Sequence, residues 1–328
     1  MHLNYYRFVC ITYLFLLLPQ PGFADWHKDS QAIMGTLISV EVWHDDAAHA
    51  RQCMSVVMQE MHRIDRDMSP YKQESELSRI NRLAPRQALL ISSELFDLIQ
   101  ASIRISRLSA GAFDITFASA GNLYDYRKAL KPDERQLKKI LPAINYRHLK
   151  LDASNRKISF LHPEVRIDLG GIAKGYAVDR GIHLLKNCGI QNGLVSAGGD
   201  TRLLGDRRGR PWMTGIRNPR QEQGSAMVLP LEDTAISTSG DYERYFIENG
   251  VRYHHILSPK TGRPSHGVLS ATVIGPDATT TDALSTTVFI LGPVAGLKLI
   301  ETLTGIDAVI IDEVGKVHYS SGLMPPSR

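Results

Sequence analysis

Thr279-Thr280-Thr281-Asp282-Ala283-Leu284-Ser285-Thr286-Thr287-Val288-Phe289-Ile290-Leu291, followed by Gly292, reads as the start of a helix whose first turns carry hydroxyls. In a helix Asp282, Ser285 and Thr286 stand at i, i+3 and i+4, so one carboxylate and two hydroxyls share a face. Such an oxygen cluster suits a hard cation, because magnesium takes one or two protein carboxylates together with neutral oxygens, water and substrate phosphates. The competing reading is a helix cap, with Thr280 or Thr281 capping, Asp282 complementing the dipole and Ser285 and Thr286 solvated. The segment by itself leaves both open.

Upstream, Val165 to Leu169 reads as an apolar strand interrupted by Arg166 and Asp168, and it runs into Gly170-Gly171-Ile172-Ala173-Lys174-Gly175. A strand, glycine turn and helix in succession aims free N–H groups and a positive dipole end at whatever lies above the turn, and phosphate is the natural guest. The spacing is neither a Walker loop nor a Rossmann fingerprint, and two glycines before a helix can also mean only tight packing. The helix that follows has an apolar stripe from Ile172 to Leu185 and ends at Gly189. Beyond it come short strands at 193–197, 201–204, 212–216, 226–231, 251–257 and 269–274, and a closing hairpin at 306–312 and 316–319, separated by turn signals such as Gly198-Gly199-Asp200 and Pro259-Lys260-Thr261-Gly262.

The first half is mainly helical. Ile33 to Trp43 is expected to be a strand, and Asp45 or Asp46 then caps a long helix with Ala50, Met54, Val57, Met58, Met61, Ile64 and Met68 on its buried side. Ser69-Pro70 stops it. Ser75 is expected to cap Glu76 to Asn81, and Ser92 or Ser93 a helix reaching Leu108 with Gly111 behind it; Ala112 to Thr116 reads as a short strand. Together these elements predict an α+β fold, with helices laid against two β-rich lobes of mixed or antiparallel sheet and the active site in the cleft between them.

The chain has 328 residues, 43% hydrophobic and 22% charged, with a formal net charge of only +4 and its basic residues scattered, which gives no electrostatic case for nucleic acid. Residues 1–24 read as a signal peptide: Arg7 is the positive region, Phe8 to Leu18 the apolar run, and Gly22-Phe23-Ala24 the cleavage site. The single family-sized domain is therefore expected to occupy residues 25–328, exported to a bacterial periplasm. An uncleaved anchor is the alternative. Cys10 lacks the small residues of a lipidation box before it, so no lipid anchor is read. Cys53 and Cys188 are expected to be free and buried, although an oxidising compartment would allow them to pair.

Taken in order, Met34-Gly35-Thr36, Ser69-Pro70-Tyr71 with Ser75-Glu76-Leu77, Gly111-Ala112-Phe113-Asp114, Asp168 to Tyr176, Gly198-Gly199-Asp200, His254-His255-Ile256-Leu257 with Thr261-Gly262, and Asp282-Ala283-Leu284-Ser285-Thr286 closely resemble the ApbE family of FAD:protein FMN transferases. The resemblance implies a magnesium-dependent enzyme that splits the pyrophosphate of FAD, transfers FMN to a threonine or serine hydroxyl of a partner protein and releases AMP. By the same resemblance Gly171, Asp282, Ser285 and Thr286 match the cation positions, and Met34, Tyr71, Ala112, Phe113, Asp114, Asp168, Lys174 and Ile256 match the FAD-contacting ones. Tyr71 could stack on a flat ring and Lys174 could meet phosphate charge.

His255 is the favoured general base and Asp282 the other catalytic group; alternation along a strand places His254 and His255 on opposite faces. No Asp-Gly-x-Ser/Thr-Gly-Ala-Thr acceptor motif occurs in the chain, so the acceptor is expected to be another polypeptide carrying it, such as a subunit of an ion-translocating electron-transfer complex or a periplasmic flavin reductase. Two alternatives stand beside transfer: hydrolysis of FAD to FMN and AMP, and non-catalytic FAD binding.

Overall fold

The computed structural model describes residues 25–220 and 224–324; the proposed signal peptide lies outside them. The chain opens with a hairpin, β1 (Asp25–Ile33) and β2 (Thr36–His44), followed by α1 (Ala47–Met68), α2 (Glu76–Leu83), β3 (Leu89–Leu90) and α3 (Ser93–Leu108). Then come α4 (Ala118–Gly121), α5 (Glu134–Ile140), β4 (Leu149–Asp152), β5 (Lys157–Phe160) and α6 (Ala173–Asn187). The second half holds β6 (Gly193–Ala197), β7 (Asp200–Leu204), β8 (Trp212–Arg217), β9 (Ser225–Leu231), β10 (Ala235–Gly240), β11 (Tyr245–Glu248), β12 (Val251–His254), β13 (Val268–Gly275), α7 (Ala278–Ile300), β14 (Asp307–Asp312) and β15 (Val317–Tyr319).

Eight strands form one antiparallel sheet in the order β1-β2-β6-β7-β10-β13-β14-β15. Helices α1, α6 and α7 lie side by side on one face. The β8–β9 hairpin covers part of the other, where Ile216 packs with Ile236, Ile274 and Val309. Strand β13 is therefore buried along its whole length, Ser270 and Thr272 included. The remaining β structure is a three-stranded sheet, β3-β5-β4, associated with the helical first half, and the separate hairpin β11–β12. The α+β expectation thus takes the form of one large antiparallel sheet layered by helices, with smaller sheets beside it.

Helix α7 is the one described helix long and apolar enough to cross a bilayer. It is instead a core helix, packed against β10, β13, β14 and α6, and it is broken at Gly292 (φ 77°) ahead of Pro293. At one edge of the sheet the chain's three tryptophans meet, Trp26 edge-on to both Trp43 and Trp212 at 5.5 and 5.1 Å between ring centroids, with the Arg207 guanidinium over Trp26 and Trp212.

Several local expectations are corrected. Ala112 to Thr116 is not a strand: Asp114 instead caps a 3-10 turn at Ile115–Phe117. Val165 to Leu169 belongs to no strand. Met34-Gly35 is not inside a strand but is the two-residue turn between β1 and β2, both residues at positive φ (57° and 73°), the geometry of a primed hairpin turn. Helix α7 is capped by neither Thr280 nor Thr281 but by Asp277, whose Oδ1 accepts from Thr280 N at 2.8 Å. Asp179 of α6 takes the Ala278 and Thr279 N–H groups besides.

Cys53 and Cys188 are not free: they form a disulfide joining α1 to the end of α6, with Cα atoms 6.0 Å apart and a sequence separation of 135. Two apolar helical contexts gave no sign that the positions face each other. Closing so long a loop restricts the unfolded chain, and Cys188→Ser is expected to lower stability by about 2–5 kcal/mol, read as a fall in the urea midpoint relative to the oxidised wild type; an unchanged midpoint would contradict the cross-link.

Candidate active site

The ends of four connections meet at one end of the large sheet. The Gly198-Gly199 turn between β6 and β7 lies so close to β2 that a Cβ on Gly198 would sit 2.7 Å from Thr36 Oγ1, and one on Gly199 would sit 2.6 Å from the Thr238 carbonyl. Asp200, the first residue of β7, is 1% exposed there. Helices α6 and α7 begin alongside it, in contact at Gly175: a Cβ on this glycine would fall 2.0 Å from the Ala278 carbonyl oxygen and 2.8 Å from Asp282 Cβ.

This close approach bears on the cap reading of Asp282. The first-turn N–H groups of α7 are already taken by Asp277 and Asp179, and Asp282 lies a further turn into the helix, so its carboxylate is not a cap. It faces α6, where Oδ2 accepts from Gly175 N at 3.0 Å and both oxygens lie 3.5 Å from Lys174 Nζ. Lys174 Nζ also donates to Asp200 Oδ2 at 2.5 Å. Ser285 and Thr286, on the same face, both lie within hydrogen-bond reach of Ser239 Oγ, at 2.8 and 3.2 Å. Gly171 completes the cluster, since a Cβ there would meet Thr286 Oγ1 and the Phe113 ring, each at 3.3 Å. All four residues assigned to the cation are thus neighbours.

The electrostatics fit a cation. Two buried carboxylates, Asp200 and Asp282, face a single ammonium, one negative charge in excess, and uncompensated buried charge is costly. Burial, and after it the charge of Asp200, push Asp282 up to about 7 against the pull of Lys174. Burial alone would depress Lys174, but Asp200 and Asp282 outweigh it and hold the ammonium above its ordinary value. A divalent ion beside Asp282, with the hydroxyls of Ser285 and Thr286, would remove the excess with donors of the hard type. The Lys174 ammonium is committed to carboxylates, so it is an internal counter-ion first and a phosphate contact only through its 30% exposed side chain.

The two histidines separate clearly. His254 is 4% exposed and both ring nitrogens are engaged, Nε2 with the Ser265 carbonyl at 2.8 Å and Nδ1 with Ile256 N at 3.3 Å. His255 lies just past the end of β12; its Nδ1 is 3.3 Å from the Arg244 carbonyl, which assigns the proton to Nδ1 and leaves Nε2 with a free lone pair. Burial, reinforced by the Arg244 guanidinium, pushes His255 down to about 3, so its imidazole is neutral at ordinary pH.

The other candidates divide into rim, wall and scaffold. Tyr71 is 77% exposed, its hydroxyl 3.4 Å from Arg244 Nη1, and Arg244 also approaches the Met34-Gly35 turn, Nη2 lying 3.8 Å from the Cβ position of Gly35. Asp168 accepts from Gly170 N at 2.7 Å, and its pKa is raised by burial. Ala112, Phe113 and Ile256 are buried wall. The Asp114 side chain accepts from Thr116 N, Thr116 Oγ1 and Tyr146 N at 2.9, 2.6 and 2.7 Å, which orders the loop around it.

Ser239 and Arg244 were not singled out from sequence. Ser239 belongs to Ala235-Ile236-Ser237-Thr238-Ser239, whose small residues alternate as a strand under a helix requires, and that alternation was the available signal. Arg244 sits in an irregular segment with no periodicity to read.

A family model described as the ApbE family matches residues 34–310. The chain is 32% identical over 302 residues to the FAD:protein FMN transferase of Vibrio cholerae, covering 89% of this chain and 90% of that protein. It is 30% identical over 321 residues to the FAD:protein FMN transferase of Treponema pallidum, covering 92% and 89%. Among solved structures, the ApbE protein of Thermotoga maritima superposes with a TM-score of 0.85 at 33% identity over 91% of this chain and 98% of that one. The flavin transferase ApbE from Vibrio cholerae does so with 0.82 at 31%, over 91% and 98%. Sequence, topology and the packing of the site residues agree, and the chain belongs to the ApbE family.

Proposed function

We propose that the protein is a magnesium-dependent FAD:protein FMN transferase, acting on an acceptor polypeptide that carries an Asp-Gly-x-Ser/Thr-Gly-Ala-Thr segment. The observation that carries the reading is the excess negative charge at Asp200 and Asp282 beside the hydroxyls of Ser285 and Thr286, a site made for a cation and for the phosphates that share it; the named relatives supply the reaction.

In that reaction the acceptor hydroxyl oxygen forms a bond to the FMN phosphorus, the bond from that phosphorus to the bridging oxygen breaks, and AMP leaves with the bridging oxygen. Asp282, Ser285, Thr286 and Gly171 would hold magnesium, which would supply charge neutralisation on the pyrophosphate. His255 Nε2 takes the hydroxyl proton while Arg244 O holds Nδ1–H and fixes the tautomer. Its depressed pKa suits a group that must stay unprotonated before substrate arrives, and the arriving anionic diphosphate raises its basicity by Coulomb attraction. Lys174 is the counter-ion of Asp200 and Asp282. The rim of Tyr71, Arg244 and the Met34-Gly35 turn is assigned to the flavin and adenine ends. Export to a bacterial periplasm is part of the proposal and rests on residues 1–24.

Incubation of the protein with FAD, Mg2+ and an acceptor peptide tests this: covalent flavin fluorescence on the peptide is the expected result, and free FMN and AMP without labelled peptide would establish hydrolysis instead. His255→Gln is expected to slow labelling by about 10²- to 10⁴-fold while FAD affinity measured by flavin fluorescence changes only a few-fold. Unchanged labelling would remove His255 as the base.

A further inference from the structure

A second cluster of ligating side chains lies at the opposite end of α6. His49 and Cys53 stand one turn apart on α1, and Cys188 follows the last turn of α6. One ligand atom from each of the three lies within 4.8 Å of the other two. His49 Nε2 is 3.4 Å from Cys53 Sγ and 2.9 Å from the Cys188 carbonyl. Cys53 is 1% exposed, and His49 and Cys188 are half-buried, so the cluster is shielded yet open on the Cys188 side.

We infer that His49, Cys53 and Cys188 form a site of two alternative states: a disulfide when oxidised, and, once reduced, a three-ligand site for a borderline-soft divalent cation such as Zn2+. The donor set is that of zinc, two thiolates and an imidazole, with the fourth tetrahedral position left to water. The separation of 3.4 Å between imidazole nitrogen and sulfur is close to the roughly 3.5–3.6 Å that bond lengths of about 2.0–2.1 Å to nitrogen and about 2.3 Å to sulfur give across a tetrahedral angle. The i, i+4 spacing of His49 and Cys53 aims both at one point from a rigid element.

The steps balance. A dithiol reductant passes two electrons and two protons to the disulfide and becomes a disulfide itself, leaving two thiols. The cation then binds two thiolates and releases two protons, while the His49 proton moves from Nε2 to Nδ1 so that Nε2 can ligate. Access dictates that the incoming thiolate attacks the sulfur of half-buried Cys188, with Cys53 as the leaving thiolate beside His49. Ligand softness keeps this site distinct from the all-oxygen set at Asp282.

The test uses Co2+ as probe on the full mature chain, reduced with a phosphine and kept anaerobic, with circular dichroism to follow the fold. The expected result is a near-ultraviolet thiolate-to-cobalt band saturating at about one equivalent, displaced by Zn2+, absent from the oxidised protein, at least tenfold weaker in affinity in His49→Ala and lost in Cys53→Ser. Asp282→Asn should retain the band, since the site there holds no sulfur. Absence of the band, its persistence unchanged in His49→Ala, or unfolding of the reduced chain would each overturn the inference.

Discussion

Asp282→Asn is expected to abolish metal-dependent flavin transfer, a loss of at least about 10³-fold, while leaving the protein as stable as the wild type or more so. The two effects part because the carboxylate does different things for folding and for catalysis. For folding it is a liability: it is 2% exposed, close to Asp200, and its pKa is raised to about 7 by burial and by that neighbour. The sign follows from linkage. A carboxyl with a raised folded-state pKa binds more protons when native than when unfolded, so stability falls as pH rises from the unfolded value near 4 through about 7, and the penalty is fully present above that.

Asparagine keeps an oxygen to accept from Gly175 N and carries no charge, so the penalty disappears, whereas the anionic ligand that a hard cation needs is gone. Magnesium should accordingly stabilise the wild type more at pH 8 than at pH 6 and should not stabilise the variant at either. The acid limb of kcat/KM should lie near 7 at low Mg2+ and move lower as Mg2+ rises, because proton and cation compete for Asp282; the neutral imidazole of His255, already depressed to about 3, contributes no limb there. Melting curves with and without Mg2+ at the two pH values check the first expectation, and turnover of the variant the second. Wild-type turnover in Asp282→Asn would remove the cation from this helix.

The second large effect is at Gly175. Alanine there would place Cβ 2.0 Å from a backbone oxygen and 2.6 Å from the carbonyl carbon of Ala278, neither of which can rotate aside. Helices α6 and α7 must separate, breaking the Gly175 N to Asp282 bond and pulling Lys174 from its carboxylates. A loss above about 3 kcal/mol is expected, in the range reserved for overpacking and broken buried ion pairs, together with loss of transfer. Gly181→Ala is the control. It lies on the same helix, and its nearest neighbours, at 3.0–3.1 Å, are the side-chain methyls of Met61, Val195 and Val57; it should shift stability by about 1 kcal/mol or less, because these can yield and alanine favours the helix. Equal denaturation midpoints for the two variants would contradict the contact between the helices.

How much of this was legible depends on how local the cause is. The caps at Asp46, Ser75 and Ser92 are decided by a side chain and an N–H two or three residues on; Ser75 reads directly, and the other two read to within one residue, as Asp45 or Asp46 and Ser92 or Ser93. The oxygen face of Asp282, Ser285 and Thr286 follows from helix periodicity alone. What sequence reasoning could not reach was contact between distant segments: Asp179 capping a helix about a hundred residues later, the pairing of Cys53 with Cys188, and the ion pairs of Lys174 with Asp200 and Asp282. Asp114 is a further case, its carboxylate accepting both from the neighbouring Thr116 and from Tyr146, 32 residues on. Strand β10 was missed because Ser-Thr-Ser carries little hydrophobic signal, although its small side chains are what let α7 lie so near the sheet.

The gathering of Trp26, Trp43 and Trp212 at one sheet edge, with no other indole in the chain, makes the protein's intrinsic emission a reporter of a single corner. Quenching or wavelength shifts on melting register the parting of β1, β2 and β8, whereas far-ultraviolet ellipticity registers the helices layered across the sheet. Superimposable transitions from the two signals would mark one cooperative unit; an earlier optical change in the indoles would show that the edge frays before the helical layer lets go.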